Sequence, residues 1–352
     1  MTQSAPRIEL RTAPHLKSPR SVEQIMLHVV YALIPVTGFY VFQYGISAAA
    51  LILAVTATCL GSERLFNWMS TQPSTLSDFS AVITGVLLAL TLPPGFPLWM
   101  GVVAGFSAIA LGKALFGGLG FNVLNPALVG RAFVQAAFPV AISTYTPAFM
   151  PDRFIEFIPS TLAWPLLAPP DVWTWVHAHS LDAVATATPL ARWKFEGVQT
   201  PPLELLLSMA TTASVGPAPI MVMLGGLYLA ARRFLDWRIP TAVLGSAAVV
   251  AVVMNLIDPS HYPGASFVLL SGGLMLGAVF MATDMATSPV TPLGVWIYGA
   301  LIGVLTVVIR YYGGLPEGVM YAILLGNAAT PLIDFYTQPR TFGGQRLRRE
   351  RK

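Results

Sequence analysis

Gly117-Gly118-Leu119-Gly120-Phe121-Asn122-Val123-Leu124-Asn125-Pro126-Ala127-Leu128-Val129-Gly130-Arg131 is the run on which the architecture turns. It opens an apolar segment with a glycine cluster, two asparagines and a proline, and carries an arginine midway along. Lipid tolerates such a run only where a broken helix faces protein or a cavity. A second run, Gly313-Gly314-Leu315-Pro316-Glu317-Gly318, introduces the last apolar segment, which is interrupted at Gly326-Asn327-Ala328-Ala329-Thr330-Pro331.

The composition around these runs fits a bilayer. Of 352 residues, 55% are hydrophobic and 10% charged, with a mean hydropathy of +0.67. A soluble domain carries roughly 25% charge, so a soluble enzyme, a disordered chain and a nucleic-acid binder are excluded. The pI of 9.3 is therefore read against a membrane topology. One cysteine, Cys59, excludes a disulfide framework and a Cys-ligated metal centre made by this chain alone. Thirty Gly and 29 Pro suggest broken helices around an interior site.

Runs of about 20 apolar residues predict an all-α polytopic membrane protein of about ten transmembrane helices. The expected spans are 24–43, 46–62, 80–93, 98–115, 121–141, 215–231, 240–257, 265–282, 293–310 and 317–334. Ten spans put both termini on one side, with 15 of the 20 Lys and Arg residues. The positive-inside rule makes that side cytoplasmic. The first Gly-Gly-Leu then lies on the cytoplasmic side and the second outside, as two inverted five-helix repeats would place them. The expected divisions are a cytoplasmic N-terminal segment (1–22), a first membrane half (23–141), an outer loop (142–214), a second membrane half (215–336) and a basic cytoplasmic tail (337–352).

Several residues are candidates for chemistry. Asn122 and Asn125, three apart, are expected on one helical face, where they would bind the edge of a planar heterocycle or clamp two helices by hydrogen bonds. Arg131 is a charge within a span. Asp284, in Met281-Ala282-Thr283-Asp284-Met285-Ala286-Thr287-Ser288-Pro289, would line an ion site or cofactor pocket, or cap a helix end. His28 reads more simply as a packed or interfacial histidine than as a ligand. The outer loop is rich in Pro and Trp, which fits a segment folded against the membrane face or an interfacial Trp belt. It contains Asp182-Ala183-Val184-Ala185-Thr186-Ala187-Thr188-Pro189-Leu190, an extended stretch with accessible hydroxyls or simply a polar turn.

The Gly117–Leu128 run, the Ala282–Asp284 segment, the long outer loop and the order of spans resemble, over essentially the whole chain, the D subunit of the Rnf electron-transport complex. More distantly, the chain is similar to the B subunit of the sodium-pumping NADH:quinone reductase. The resemblance implies a fold of five plus five inverted helices, similar to urea transporters. It implies an FMN joined through its phosphate to the last threonine of an Asp-x-x-[Ser/Thr]-x-Ala-Thr motif that a flavin transferase recognises. Here that motif runs from Asp182 through Ala187 to Thr188, the implied attachment residue; Ala185 departs from the pattern, and Thr186 is the fallback. A second, non-covalent flavin (riboflavin) is implied near Asn122 and Asn125, with Arg131 and Asp284 in pocket or coupling roles.

The implied function is that of a flavoprotein component of a translocase. Such a complex couples electron transfer between NAD(H) and ferredoxin or flavodoxin to Na+ or H+ movement. The implied partners are the A, B, C, E and G subunits, above all the flavin-bearing G component on the outer face, in a bacterial inner membrane. NAD and iron–sulfur clusters would sit on partners. Two readings without redox activity stay open: a secondary transporter or channel of urea-transporter-like fold, and a purely structural membrane component.

Overall fold

The computed structural model describes residues 21–70, 76–165, 172, 175, 188–208, 216–314 and 316–339, and among them it is all-helical. The first half contains α1 (Val22–Tyr44), α2 (Ile46–Met69), α3 (Ser80–Thr91), α4 (Leu98–Gly112) and α5 (Pro126–Ala137), followed by the short α6 (Pro139–Ser143). Two short helices, α7 (Pro189–Glu196) and α8 (Pro202–Leu207), precede the second half. That half contains α9 (Pro219–Ala231), α10 (Arg238–Ile257), α11 (Ala265–Leu270), the turn α12 (Leu274–Leu276), a π-helical turn Gly277–Met281, α13 (Pro292–Tyr312) and α14 (Val319–Thr337).

Among the described residues six helices are long and apolar enough to cross a membrane: Val22–Tyr44, Ile46–Met69, Leu98–Phe116, Arg238–Ile257, Pro292–Tyr312 and Val319–Thr337. The chain is a polytopic membrane protein. α3 and α9 are shorter apolar helices of 12 and 13 residues.

Two expected spans take a different form. The segment 121–141 is helical from Pro126 to Ala137 and then, after a break at Phe138, in the short α6. Asn125 caps the helix and Pro126 takes its first position, where a missing N–H costs nothing; Phe138, just before Pro139, ends it. At 1.5 Å per residue its 12 residues reach about 18 Å, short of a hydrocarbon core of about 30 Å. The segment 265–282 is broken after Leu270, where Gly272 turns the backbone at φ +64°, and it resumes as α12 and the π-helical turn. The two glycine runs also differ in backbone. Gly117, Gly118 and Gly120 all have positive φ (+102°, +107° and +87°), a turn open to glycine. Gly313, by contrast, ends α13 at φ −73°. Leu315 lies outside the described residues.

Packing is the same in pattern in each half. α2 packs on α3 and α4, and α4 on α5; α10 packs on α11 and α13, and α13 on α14. Between the halves, α1 meets α9 and α5 meets α14. Small residues permit the close approach: a Cβ on Gly299 of α13 would stand 2.5 Å from the Ala242 Cβ of α10.

Each half has a short helix ending inside the protein, and each end is met by an arginine. Arg131 of α5 donates to the Thr91 carbonyl at the end of α3, and the Tyr40 hydroxyl donates to Leu92 O at 3.0 Å. Arg310 of α13 donates to Val268 O (2.6 Å) and Ser271 O (3.0 Å) at the end of α11. The last carbonyls of a helix lack intrahelical partners, and a cation there also opposes the negative end of the helix dipole. Arg131→Met is expected to destabilise the fold by about 1.5–3 kcal/mol, the range for a hydrogen bond to a charged group, read as a lower thermal midpoint in detergent.

The described part of 142–208 covers one end of the bundle. Ile46 donates to Arg153 O (2.9 Å), Leu98 to Thr161 O (3.0 Å), and Lys194 to Arg310 O (2.9 Å).

Candidate functional site: a cleft at the end opposite the loop

The starts of α1, α3 and α5 converge with the ends of α9 and the π-helical turn at the bundle end away from 142–208. They line a single cleft. Ile25, Met26 and Val29 of α1, Ile83 and Leu87 of α3, with Leu229, Phe234, Leu235 and Phe280, make it mostly apolar. A few polar groups converge on it: Ser80, Thr84, Lys113, Asn122, Asn125, Thr283 and Asp284. A largely apolar hollow with sparse, placed polar groups is the usual form of a site for an organic ligand or cofactor.

Three of the predicted residues, Asn122, Asn125 and Asp284, line this cleft together. The two asparagines do not share a helical face: Asn122 lies in the turn before α5 and Asn125 is its N-cap. Asn125 Oδ1 accepts from Ala127 N (3.0 Å) and Leu128 N (3.4 Å), and its Nδ2 donates to Met281 O at 3.2 Å. It thus joins the start of α5 to the end of the π-helical turn, a clamp of the kind the sequence allows. Asn122 bonds locally: its Oδ1 accepts from Gly120 N (3.2 Å) and its Nδ2 donates to Leu124 O (3.4 Å).

Asp284 follows the π-helical turn, in the connection to α13. Burial pushes its carboxyl above the usual carboxylate range, against the pull of the Ala286 N–H and the Thr287 hydroxyl. Its Oδ1 accepts from Ala286 N at 3.3 Å and its Oδ2 from Thr287 Oγ1 at 3.4 Å, so it also organises this connection.

Arg131 lies away from the cleft, buried at the end of α3. His28 does not line the cleft. Its Nδ1 is 2.7 Å from the Tyr228 hydroxyl and its ring stacks on Phe234, a cleft residue, at 4.7 Å. Thr188 is at the other end of the molecule. It is the N-cap of α7, 5% exposed, and its hydroxyl accepts from Ala191 N at 3.1 Å. Asp182, Thr186 and Ala187 lie outside the described residues.

A buried charge cluster on the cleft wall leaves no local mark in the sequence. Lys113 Nζ donates to Glu63 Oε1 at 2.7 Å and to Ser80 Oγ at 2.5 Å, with Asp78 Oδ2 4.0 Å away. Lys113 is 4% and Glu63 3% exposed. The expected second span stops at residue 62 because Glu63-Arg64 reads as the start of a loop. α2 instead continues to Met69 and carries Glu63 inside.

Fold and cleft together describe an all-helical polytopic membrane protein with a cleft among its helices. The chain belongs to the NQR2, RnfD, RnfE family, whose model matches residues 9–343. It is 37% identical to the D subunit of the Na(+)-translocating ferredoxin:NAD(+) oxidoreductase complex of Acetobacterium woodii, over 98% of both chains. It is 36% identical to the D subunit of the ion-translocating oxidoreductase complex of Halorhodospira halophila, over 96% of both chains. It is 35% identical to the D subunit of the proton-translocating ferredoxin:NAD(+) oxidoreductase complex of Clostridium ljungdahlii, again over 96% of both chains.

Proposed function

We propose that this chain is the flavin-carrying membrane component of an ion-translocating oxidoreductase complex that moves electrons between NAD(H) and ferredoxin or flavodoxin. Membership of the family and full-length similarity to D subunits support the complex. The observation that carries the flavin reading is the cleft: apolar walls suit a planar ring, and Asn122, Asn125, Thr283 and Asp284 offer donors and acceptors to its edge. In this reading the cleft holds riboflavin non-covalently, and Thr188 bears FMN as a phosphoester. Bound flavin supplies one- and two-electron redox chemistry; the chain supplies position, polarity and exclusion of water.

Thr188 suits its role through α7. Its hydroxyl already faces the first N–H groups of an eight-residue helix, where a phosphate is favoured. Arg192, one turn on, adds positive charge and pairs with Glu196 at 3.6 Å. Attachment exchanges the Thr188 O–H for an O–P bond; a flavin transferase would take the FMN unit from a flavin phosphoanhydride donor, whose anhydride P–O bond breaks as the nucleotide leaves with the hydroxyl proton. Arg131, far from the cleft, is assigned to positioning α3 rather than to the flavin.

The ten-helix, two-repeat architecture is part of the proposal. The short α3 and α9, the broken α11–α12 segment and α5 complete five helical segments per half. The pairing of α1 with α9 and α5 with α14 is what a two-fold axis between the halves produces. Both termini are assigned to the cytoplasm and the loop to the outer face of the bacterial inner membrane, by the Lys and Arg distribution. The A, B, C, E and G subunits are the proposed partners, the last of them handing electrons to the Thr188 flavin.

Acid precipitation tests the two-flavin reading. Riboflavin is expected in the supernatant and phosphate-linked FMN in the protein pellet, about one of each per chain. A colourless chain in both fractions would favour a transporter without redox activity.

A further inference from the structure

The geometry points to a monovalent-cation site at the loop end, in a small polar hollow between the end of α1 and residues 146–158. Gln43, Tyr44, Thr146, Arg153, Glu156 and Trp175 contribute to its walls. Gln43 is fully buried and Thr146 is 2% exposed. Among the described residues Gln43 Oε1 and Thr146 Oγ1 have no hydrogen-bond partner. Buried oxygens without partners are costly, so two on one hollow mark a place built for something that binds oxygen.

The orientation of Gln43 is fixed. Its Nε2 donates to Ser208 O at 2.8 Å; an amide turned the other way would set oxygen against oxygen. The hollow therefore meets an acceptor, which repels an anion. It is also small, with room for a single water or one small ion.

Charge chooses the valence. Among the described residues Glu156 is the one carboxylate on the wall and Arg153 the one cation. The Arg153 Nε donates to Phe42 O (2.9 Å) and its Nη1 to Met150 O (3.3 Å), while its guanidinium lies over the rings of Phe42, Phe149 and Phe154. The formal charge of the wall is near zero. A divalent ion asks for several carboxylates and six or more oxygens; a sodium-sized ion is content with neutral oxygen donors. Binding would fix the end of α1 to the loop, and the site does not depend on the flavin reading.

Hydrogen–deuterium exchange on the full chain within its membrane complex tests this. Backbone amides of 146–158 are followed in sodium chloride and in choline chloride of equal ionic strength. Sodium is expected to slow their exchange about tenfold once its concentration is ten times the dissociation constant. Thr146→Val should lose that response and Thr146→Ser keep it, with α2 amides as the control for folding. Equal exchange of the unaltered chain in the two salts would overturn the proposal, leaving the two oxygens to water. A sodium response that survives Thr146→Val would overturn it too.

Discussion

Glu63→Ala is expected to destabilise the protein by about 3–5 kcal/mol, the cost of leaving one member of a buried ion pair without its partner. Lys113 Nζ sits 2.7 Å from Glu63 Oε1 and both side chains are almost wholly buried. Once Glu63 is removed, the nearest carboxylate is Asp78, whose Oδ2 is 4.0 Å from Lys113 and whose Oδ1 already accepts from Ser80 N and Oγ. The pair also joins α2 to the residue that ends α4, so its loss loosens the wall from which Lys113 faces the cleft. The thermal midpoint in nanodiscs measures the effect. Glu63→Ala with Lys113→Met should recover most of the stability, because the uncompensated charge is gone. A double variant as unstable as Glu63→Ala would show that the cost lies in packing rather than charge.

Asn125→Leu is the second large effect. It removes the N-cap of α5, worth about 1 kcal/mol and up to 2, together with the donor to Met281 O, worth about 1 more. It also replaces a polar edge of the cleft with a branched apolar group. Non-covalent flavin is expected to fall to a small fraction of the wild-type amount, as measured by acid extraction, while flavin fixed to the chain is unchanged. Asn122→Leu should separate the roles. The bonds of Asn122 stay within its own turn, so it should lose flavin with a smaller fall in thermal midpoint. Flavin retained in both variants would take the asparagines out of the site.

How far these features can be read from the sequence depends on their reach along the chain. The long apolar helices follow from runs of about 20 apolar residues, which local hydropathy reports directly. The length of α5 escapes it, because hydropathy does not register that Asn125-Pro126 starts a helix and Phe138-Pro139 ends it. The same blindness hides the break at Ser271-Gly272-Gly273. Asn122, Asn125 and Asp284 stand out as polar groups in apolar surroundings, and they do meet at one cleft. Their distinct bonding does not stand out, because an N-cap and a turn asparagine look alike without the backbone. Glu63 and Lys113 are 50 residues apart and pair only through the packing of α2 on α4. Arg131 is conspicuous as a charge in a span, but the Thr91 carbonyl it serves is set by where α3 stops, which no local pattern records.

The function proposed for this chain turns on flavin in covalent linkage within an electron-transferring complex. Ultraviolet fluorescence of the chain on a denaturing gel tests it most directly, wild type beside Thr188→Ala, each co-expressed with a flavin transferase. A fluorescent wild-type band that is lost in Thr188→Ala is the predicted result. A dark wild-type band, or equal fluorescence in the two, would contradict the assignment of FMN to Thr188.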